Sequence, residues 1–118
     1  MTEAEFVQEY KKSLLEPTTK SLVLWLKGEL GLAMEEKDQD LRSWFATLDA
    51  ESQAMIEYLI ERNTDSILFR TLCYLDGSRI NTSEPGDRMR YRITCTQNGV
   101  VEELIKDPDT DLHDHYYQ

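Results

Sequence analysis

"AESQAMIEYLIERNTDSILFRTLCYLD", residues 50–76, is the run whose reading decides the fold. Met55, Ile56, Leu59 and Ile60 recur at helical spacing, and Ile67, Leu68, Leu72 and Leu75 continue the pattern. Asn63 interrupts it, standing where the stripe Ile56, Ile60, Ile67 expects an apolar side chain. One unbroken helix here would span about 39 Å, roughly the width of a whole domain of this size. The pattern therefore predicts a kink or two helices, with Asn63 or Thr64 capping the second. Asp65 would then lie in a first helical turn, where its charge meets the positive end of the helix dipole. In a continuous helix it would instead pair with Arg62, three residues back.

Upstream, Thr2 and Glu5 have the spacing of a capping box. Phe6, Val7, Tyr10 and Leu14 follow as an apolar stripe. Pro17 predicts the end of this helix or the start of the next, because proline disfavours helical geometry in the residue before it. Thr18 or Thr19 would cap a second helix carrying Leu22, Trp25, Leu26 and Leu30. Gly28 and Gly31 predict a turn or fraying near Gly31. "MEEKDQD" (34–40) reads as a charged, solvated stretch, and Leu41, Trp44, Phe45 and Leu48 as a further helix. Asp49 is positioned to cap the helix that follows.

Downstream, Gly77 predicts a helix stop. "SRINTSEPGD" (78–87) is turn-forming, with room for a third strand over Arg79–Thr82. "RMRYRITCTQ" (88–97) alternates in polarity as a strand does, Asn98-Gly99 is a favoured hairpin turn, and "VVEELIKD" (100–107) returns. A two-residue turn sets Gln97 against Val100, Ile93 against Leu104 and Arg90 against Asp107. Two strands alone are marginal, so the hairpin must lie on the helices. The expected fold is α+β: an N-terminal bundle of four to five helices packed against a C-terminal antiparallel hairpin of two or three strands. Residues 1–118 read as one domain, helical over 1–77, with the hairpin and an acidic tail over 78–118.

The net charge is −10. A field of that sign repels nucleic acid and anionic lipid and attracts a basic protein. No apolar run approaches the roughly 20 residues a spanning helix needs. The N-terminal "MTEAEFVQEYKK" is acidic and amphipathic, unlike a secretory signal, so the cytoplasm is the expected location. Cys73 and Cys95 lack metal or redox spacing and read as buried reduced thiols. Arg88, Arg90 and Arg92 share a strand face, which Glu103 and Asp107 can neutralise across the hairpin.

The tail "DPDTDLHDHYYQ" (107–118) holds both histidines, His113 and His115. Asp107, Asp109 and Asp111 imitate the start of a calcium loop. The glycine that loop needs is Leu112, however, and its closing glutamate is Gln118. No nucleophile, phosphate loop or ligand cluster is recognisable, so no catalytic group, metal or cofactor is expected. The chain reads as a non-enzymatic binding protein for a basic partner. Its candidate contacts are Glu35, Glu36, Asp38 and Asp40 in the charged stretch and Asp109, Asp111 and Asp114 in the tail. Leu112, Tyr116 and Tyr117 are apolar enough to dock that tail. A homodimer through an apolar strip around Trp25 is the alternative, and a metal enzyme built on His113 and His115 a further one.

Two segments carry a resemblance. "WF…L…DSILFRTLCYLDG" (44–77) followed by "DP…LHDHYY" (107–117) resembles a loosely defined group of small bacterial proteins with a D-S-x-x-F-x-x-L-x-x-L-D-G helix end and a C-terminal L-H-D motif. The matching positions are Asp65, Ser66, Phe69, Leu72, Leu75, Asp76 and Gly77, then Leu112, His113 and Asp114. The "HDHYY" ending departs from that group's pattern. The group resembles the immunity proteins of bacterial toxin systems, which implies a toxin-neutralising role and a toxin domain as the partner.

Overall fold

The computed structural model describes residues 1–76, 93–104 and 110–118. The fold is α+β, and among the described residues it has three helices rather than four to five: α1 (Glu3–Leu26), α2 (Glu36–Thr47) and α3 (Ala50–Leu75). An antiparallel hairpin, β1 (Thr94–Gln97) and β2 (Val100–Glu103), follows, then a short 3-10 helix (Leu112–His115).

Both missing helix breaks have physical reasons. Pro17 lies inside α1. It is exposed, so water can satisfy the carbonyl that its missing N–H leaves free. Thr19 caps nothing; its hydroxyl donates to the Leu15 carbonyl one turn back. The polar "RNTD" run lies within the single helix α3. Arg62 and Asn63 face solvent, and the Thr64 hydroxyl donates to the Ile60 carbonyl at 2.9 Å. Asp65 is buried, with Arg62 Nη1 3.8 Å from its carboxylate. The continuous-helix alternative for Asp65 is the one realised.

The chain gathers into two compact units, residues 1–13 with 67–118, and residues 14–66. In the first, Thr2 and Glu5 form the expected capping box: each backbone N–H donates to the other side chain at 3.1 Å. Val7, Leu72, Leu112 and Tyr116 make the buried core, flanked by Phe6, Tyr10, Leu68, Phe69, Leu75, Ile93 and Leu104. The hairpin pairs Cys95 with Glu102 and Gln97 with Val100. Leu104 N donates to Ile93 O below them, as the two-residue turn requires. Asn98 and Gly99 both have positive φ, 52° and 80°, the type I′ geometry that Asn-Gly favours. Only the base of the hairpin packs on the core. Its strands are otherwise largely exposed, Val100 and Val101 included, so one face does not lie along the helices as expected. The Arg90–Asp107 pair, the arginine stripe, the strand over Arg79–Thr82, Gly77 and Asp109 lie outside the described residues.

In the second unit α1 ends at Leu26, earlier than the expected turn near Gly31, so Leu30 lies beyond the helix. Gly28 N donates to Trp25 O and Glu29 N to Leu24 O, with Gly28 at φ 77°, which is a Schellman ending. Phe45 and Leu26 are buried. Gln53 donates to the carbonyls of Phe45 and Leu48 and fixes the corner between α2 and α3. Asp49 caps α3, accepting from Ser52 N at 2.7 Å. The Ser52 side chain first, and then that backbone bond, hold the Asp49 carboxyl below its usual range.

A depressed folded-state pKa stabilises the fold above the unfolded value, and the effect fades as pH falls through the folded value. Asp49→Ala should therefore melt below wild type at neutral pH, with the gap closing in acid. Thermal melts from pH 7 to pH 2.5 check this; a gap constant with pH would contradict the capping role.

Candidate functional site

The acids singled out from sequence divide into two kinds. In the first unit, Asp111 and Asp114 are occupied by local structure. They form a reciprocal capping box on the 3-10 helix, with Asp111 N donating to Asp114 Oδ2 at 2.7 Å. Asp114 Oδ1 also lies 3.4 Å from His113 Nε2. These two carboxylates hold the tail in shape, which lowers their availability to a partner.

The tail itself is clasped by side chains that sequence reading passed over. Asp76 Oδ1 accepts from Leu112 N at 3.0 Å, and Oδ2 accepts from His113 N at 2.9 Å. His113 Nδ1 lies 2.7 Å from the same Oδ2, where an N–H donates to the carboxylate. From α1, Gln8 donates to His115 O at 2.9 Å and Lys11 to Tyr116 O at 3.0 Å. The Lys11 ammonium also sits 4.6 Å from the Tyr116 ring centroid, a cation–π contact. Phe69 meets Tyr116 at 5.9 Å and Tyr117 at 5.3 Å between centroids. Leu112 and Tyr116 are buried as expected, while Tyr117 is mostly exposed.

His113 and His115 are directed to different partners. His115 Nε2 lies 3.0 Å from Thr110 Oγ1, and its Nδ1 3.2 Å from Gln118 Oε1. Among the described residues no three His, Cys, Asp or Glu side chains converge where they could hold a metal ion.

Cys73 is buried beside this clasp and Cys95 is half-buried on β1; both are free thiols. Burial pushes the Cys73 thiol up, and the charges of Asp76 and Asp114 push it further. Since the thiolate is the reactive form, Cys73 should resist iodoacetamide at pH 7.5 until the protein unfolds. Intact mass spectrometry should find one adduct, at Cys95. Early labelling of Cys73 would show that the clasp is open.

The acids of the second unit have a different setting. Glu35 is the N-cap residue of α2, yet its side chain makes no capping bond. Glu36 and Asp40 are exposed, and Asp38 is half-buried in the first turn. Between residues 28 and 40 stand five carboxylates, Glu29, Glu35, Glu36, Asp38 and Asp40, against one cation, Lys37.

The loop that leads into these acids, residues 28–35, is held by its backbone. Trp25 Nε1 donates to Leu32 O at 3.2 Å, and Gln39 Nε2 to Ala33 O at 3.2 Å. Arg42 Nη2 donates to Leu30 O at 3.3 Å and Gly31 O at 3.1 Å. The Arg42 guanidinium stacks over the Trp25 ring at 4.8 Å. Gly31 has φ 75°, a conformation that favours glycine, and a Cβ there would meet Trp25 Cδ1 at 3.2 Å, so the indole would have to give by a few tenths of an ångström.

With four carbonyls tied inward, the loop side chains project outward. Leu32 is 79% exposed and Met34 82%, with Leu30 also exposed. The scaffold thus presents two unpacked apolar side chains from a fixed backbone, next to an uncompensated acidic helix start. The sequence pattern did not mark this loop: Leu30 stands four residues from both Leu26 and Met34 and so continues the helical stripe. Trp25, around which the sequence placed an exposed apolar strip, is itself half-buried and supports this loop, while Leu22 and Leu30 beside it are exposed.

Comparison with protein-family models, with curated proteins and with solved structures gave no match.

Proposed function

We propose that this chain is a non-enzymatic binding protein that docks on a basic protein through the loop at residues 28–35 and the acidic start of α2. The observation that carries this reading is the exposure of Leu32 and Met34 on a backbone held by Trp25, Gln39 and Arg42. Large apolar side chains left in water on a fixed support are what an interface anchor requires, since little entropy remains to be lost on binding. Glu35, Glu36 and Asp40 around them favour a cationic surface and would speed its approach. Asp38 contributes charge to the same end of α2. Asp111 and Asp114 belong to the tail's own structure and have a lesser part.

The resemblance of residues 65–77 and 112–114 to toxin-immunity proteins narrows the partner to a toxin domain, neutralised by a cytoplasmic protein that covers its active surface. Among the described residues no helix is long and apolar enough to cross a membrane.

The test is capture from the source cells with wild type and with Leu32→Asp/Met34→Asp, which changes only exposed positions. Wild type should retain a basic protein that arrests growth when expressed alone and is tolerated when this chain is co-expressed. The double variant should fold normally and bind it roughly 30- to 700-fold more weakly, since two anchors of about 1–2 kcal/mol each are lost. Equal capture by both forms would refute the assignment of the surface. A captured partner with no toxicity would refute the immunity role.

A further inference from the structure

A second surface lies on the outer face of the N-terminal half of α3 and uses none of the residues of the proposed docking loop. Glu51, Ala54, Met55, Tyr58, Leu59 and Arg62 recur at intervals of three and four residues, and all six are exposed. Met55 is 63% exposed, Tyr58 58% and Leu59 61%. The sequence pattern placed Met55 and Leu59 with Ile56 and Ile60 on a core face. In the structure Ile56 and Ile60 are the more buried, and Met55 and Leu59 turn outward. The helix therefore carries two apolar faces, one of them uncovered.

The order of residues on this face is palindromic in character. An antiparallel copy of the helix, related by a two-fold axis between residues 56 and 57, sets Met55 against Tyr58 and Ala54 against Leu59. It also sets Glu51 against Arg62. Opposite charges stand at equal distances from the axis, and a large side chain meets a small one beside it. A C2 interface must be self-complementary in this way, whereas an unrelated partner imposes no such symmetry. Ala54 and Tyr58 also border a groove of about 820 Å³, lined on the α1 side by Leu15, Thr19 and Val23. Leu59 of a second copy would reach its edge over Ala54.

We infer that this face binds a second copy of the chain as an antiparallel helix pair, with Met55, Tyr58 and Leu59 as its apolar centre and Glu51–Arg62 as its two symmetric ion pairs. The three apolar side chains expose roughly 350 Å² per chain, within the range of functional patches on monomers. Doubled, and with the flanking residues added, this reaches roughly 1,000 Å², the lower end of specific interfaces. The dimer is accordingly a weak one, with a dissociation constant on the order of micromolar. Arg62 can serve both ends, because its contact to Asp65 uses one Nη1 at 3.8 Å and leaves the other donors free.

Sedimentation equilibrium of the full chain at about 100 µM tests the inference, since an interface of this size should be largely associated there. Wild type should sediment at twice the 13.8 kDa chain mass. Leu59→Asp should be monomeric with unchanged circular dichroism. Glu51→Arg and Arg62→Glu should each weaken association roughly tenfold, because each sets two like-charge contacts across the axis. The double exchange Glu51→Arg/Arg62→Glu should restore it. A monomeric wild type, a dimer indifferent to Leu59→Asp, or folded single variants that the double exchange fails to rescue would each overturn the proposal. If a charge variant loses its helical signal, the Leu59→Asp comparison decides alone.

Discussion

Tyr116→Ala is expected to cost about 3–5 kcal/mol of stability, the range for removing a large aromatic from a close-packed core. Tyr116 is fully buried and shares the first unit's core with Val7, Leu72 and Leu112, which come from two helices and the tail. Its loss would open a cavity that Phe69 fills only in part. It would also remove the ring over which Lys11 sits. Small domains are marginal, so a cost of this size approaches the whole stability of the fold. Urea unfolding followed by circular dichroism measures it. A cost under about 1 kcal/mol would mean that the tail is not part of the core.

Asp76→Ala is the second large effect, about 3–4 kcal/mol, and its mechanism is different. No cavity of consequence forms. Instead the N–H groups of Leu112 and His113 and the His113 ring lose their common acceptor, and part-buried donors without partners cost about 1–3 kcal/mol each. The Asp76 side chain is only 7% exposed, which leaves water little room to substitute. Asp76→Asn keeps one carbonyl acceptor and should fall between alanine and wild type. The double variant Asp76→Ala/Tyr116→Ala should cost clearly less than the sum. Either change alone can release the tail, and a released tail has nothing further to lose. Strict additivity in a double-mutant cycle would show that the two residues hold separate parts of the structure.

Local signals in the sequence proved legible where a single bond or dihedral decides the matter. The Thr2–Glu5 box, the Asp49 cap and the Asn-Gly turn each depend on residues within four positions of one another. The helix count was not legible in this way. Pro17 and the "RNTD" run are genuine local breakers, and their cost of a few kcal/mol is outweighed by tertiary packing that no local pattern reveals. Periodicity also failed to say which of α3's two apolar faces is inward, because Met55/Leu59 and Ile56/Ile60 satisfy the helical period equally well. The tail clasp was half legible. Leu112 and Tyr116 announced a docked segment, but its holder, Asp76, lies 36 residues away from Leu112. The presenting loop was missed because its tethers run from side chains to backbone carbonyls, and such bonds leave no periodic trace.

The central claim, that Leu32 is an anchor seated on a basic protein, is tested most directly by photocrosslinking from that position. A benzoylphenylalanine placed at residue 32, irradiated in the source cells, should yield one prominent adduct with a basic protein. The same probe at exposed Lys12 should yield none. No adduct from position 32, or an adduct there with an acidic partner, would contradict the account.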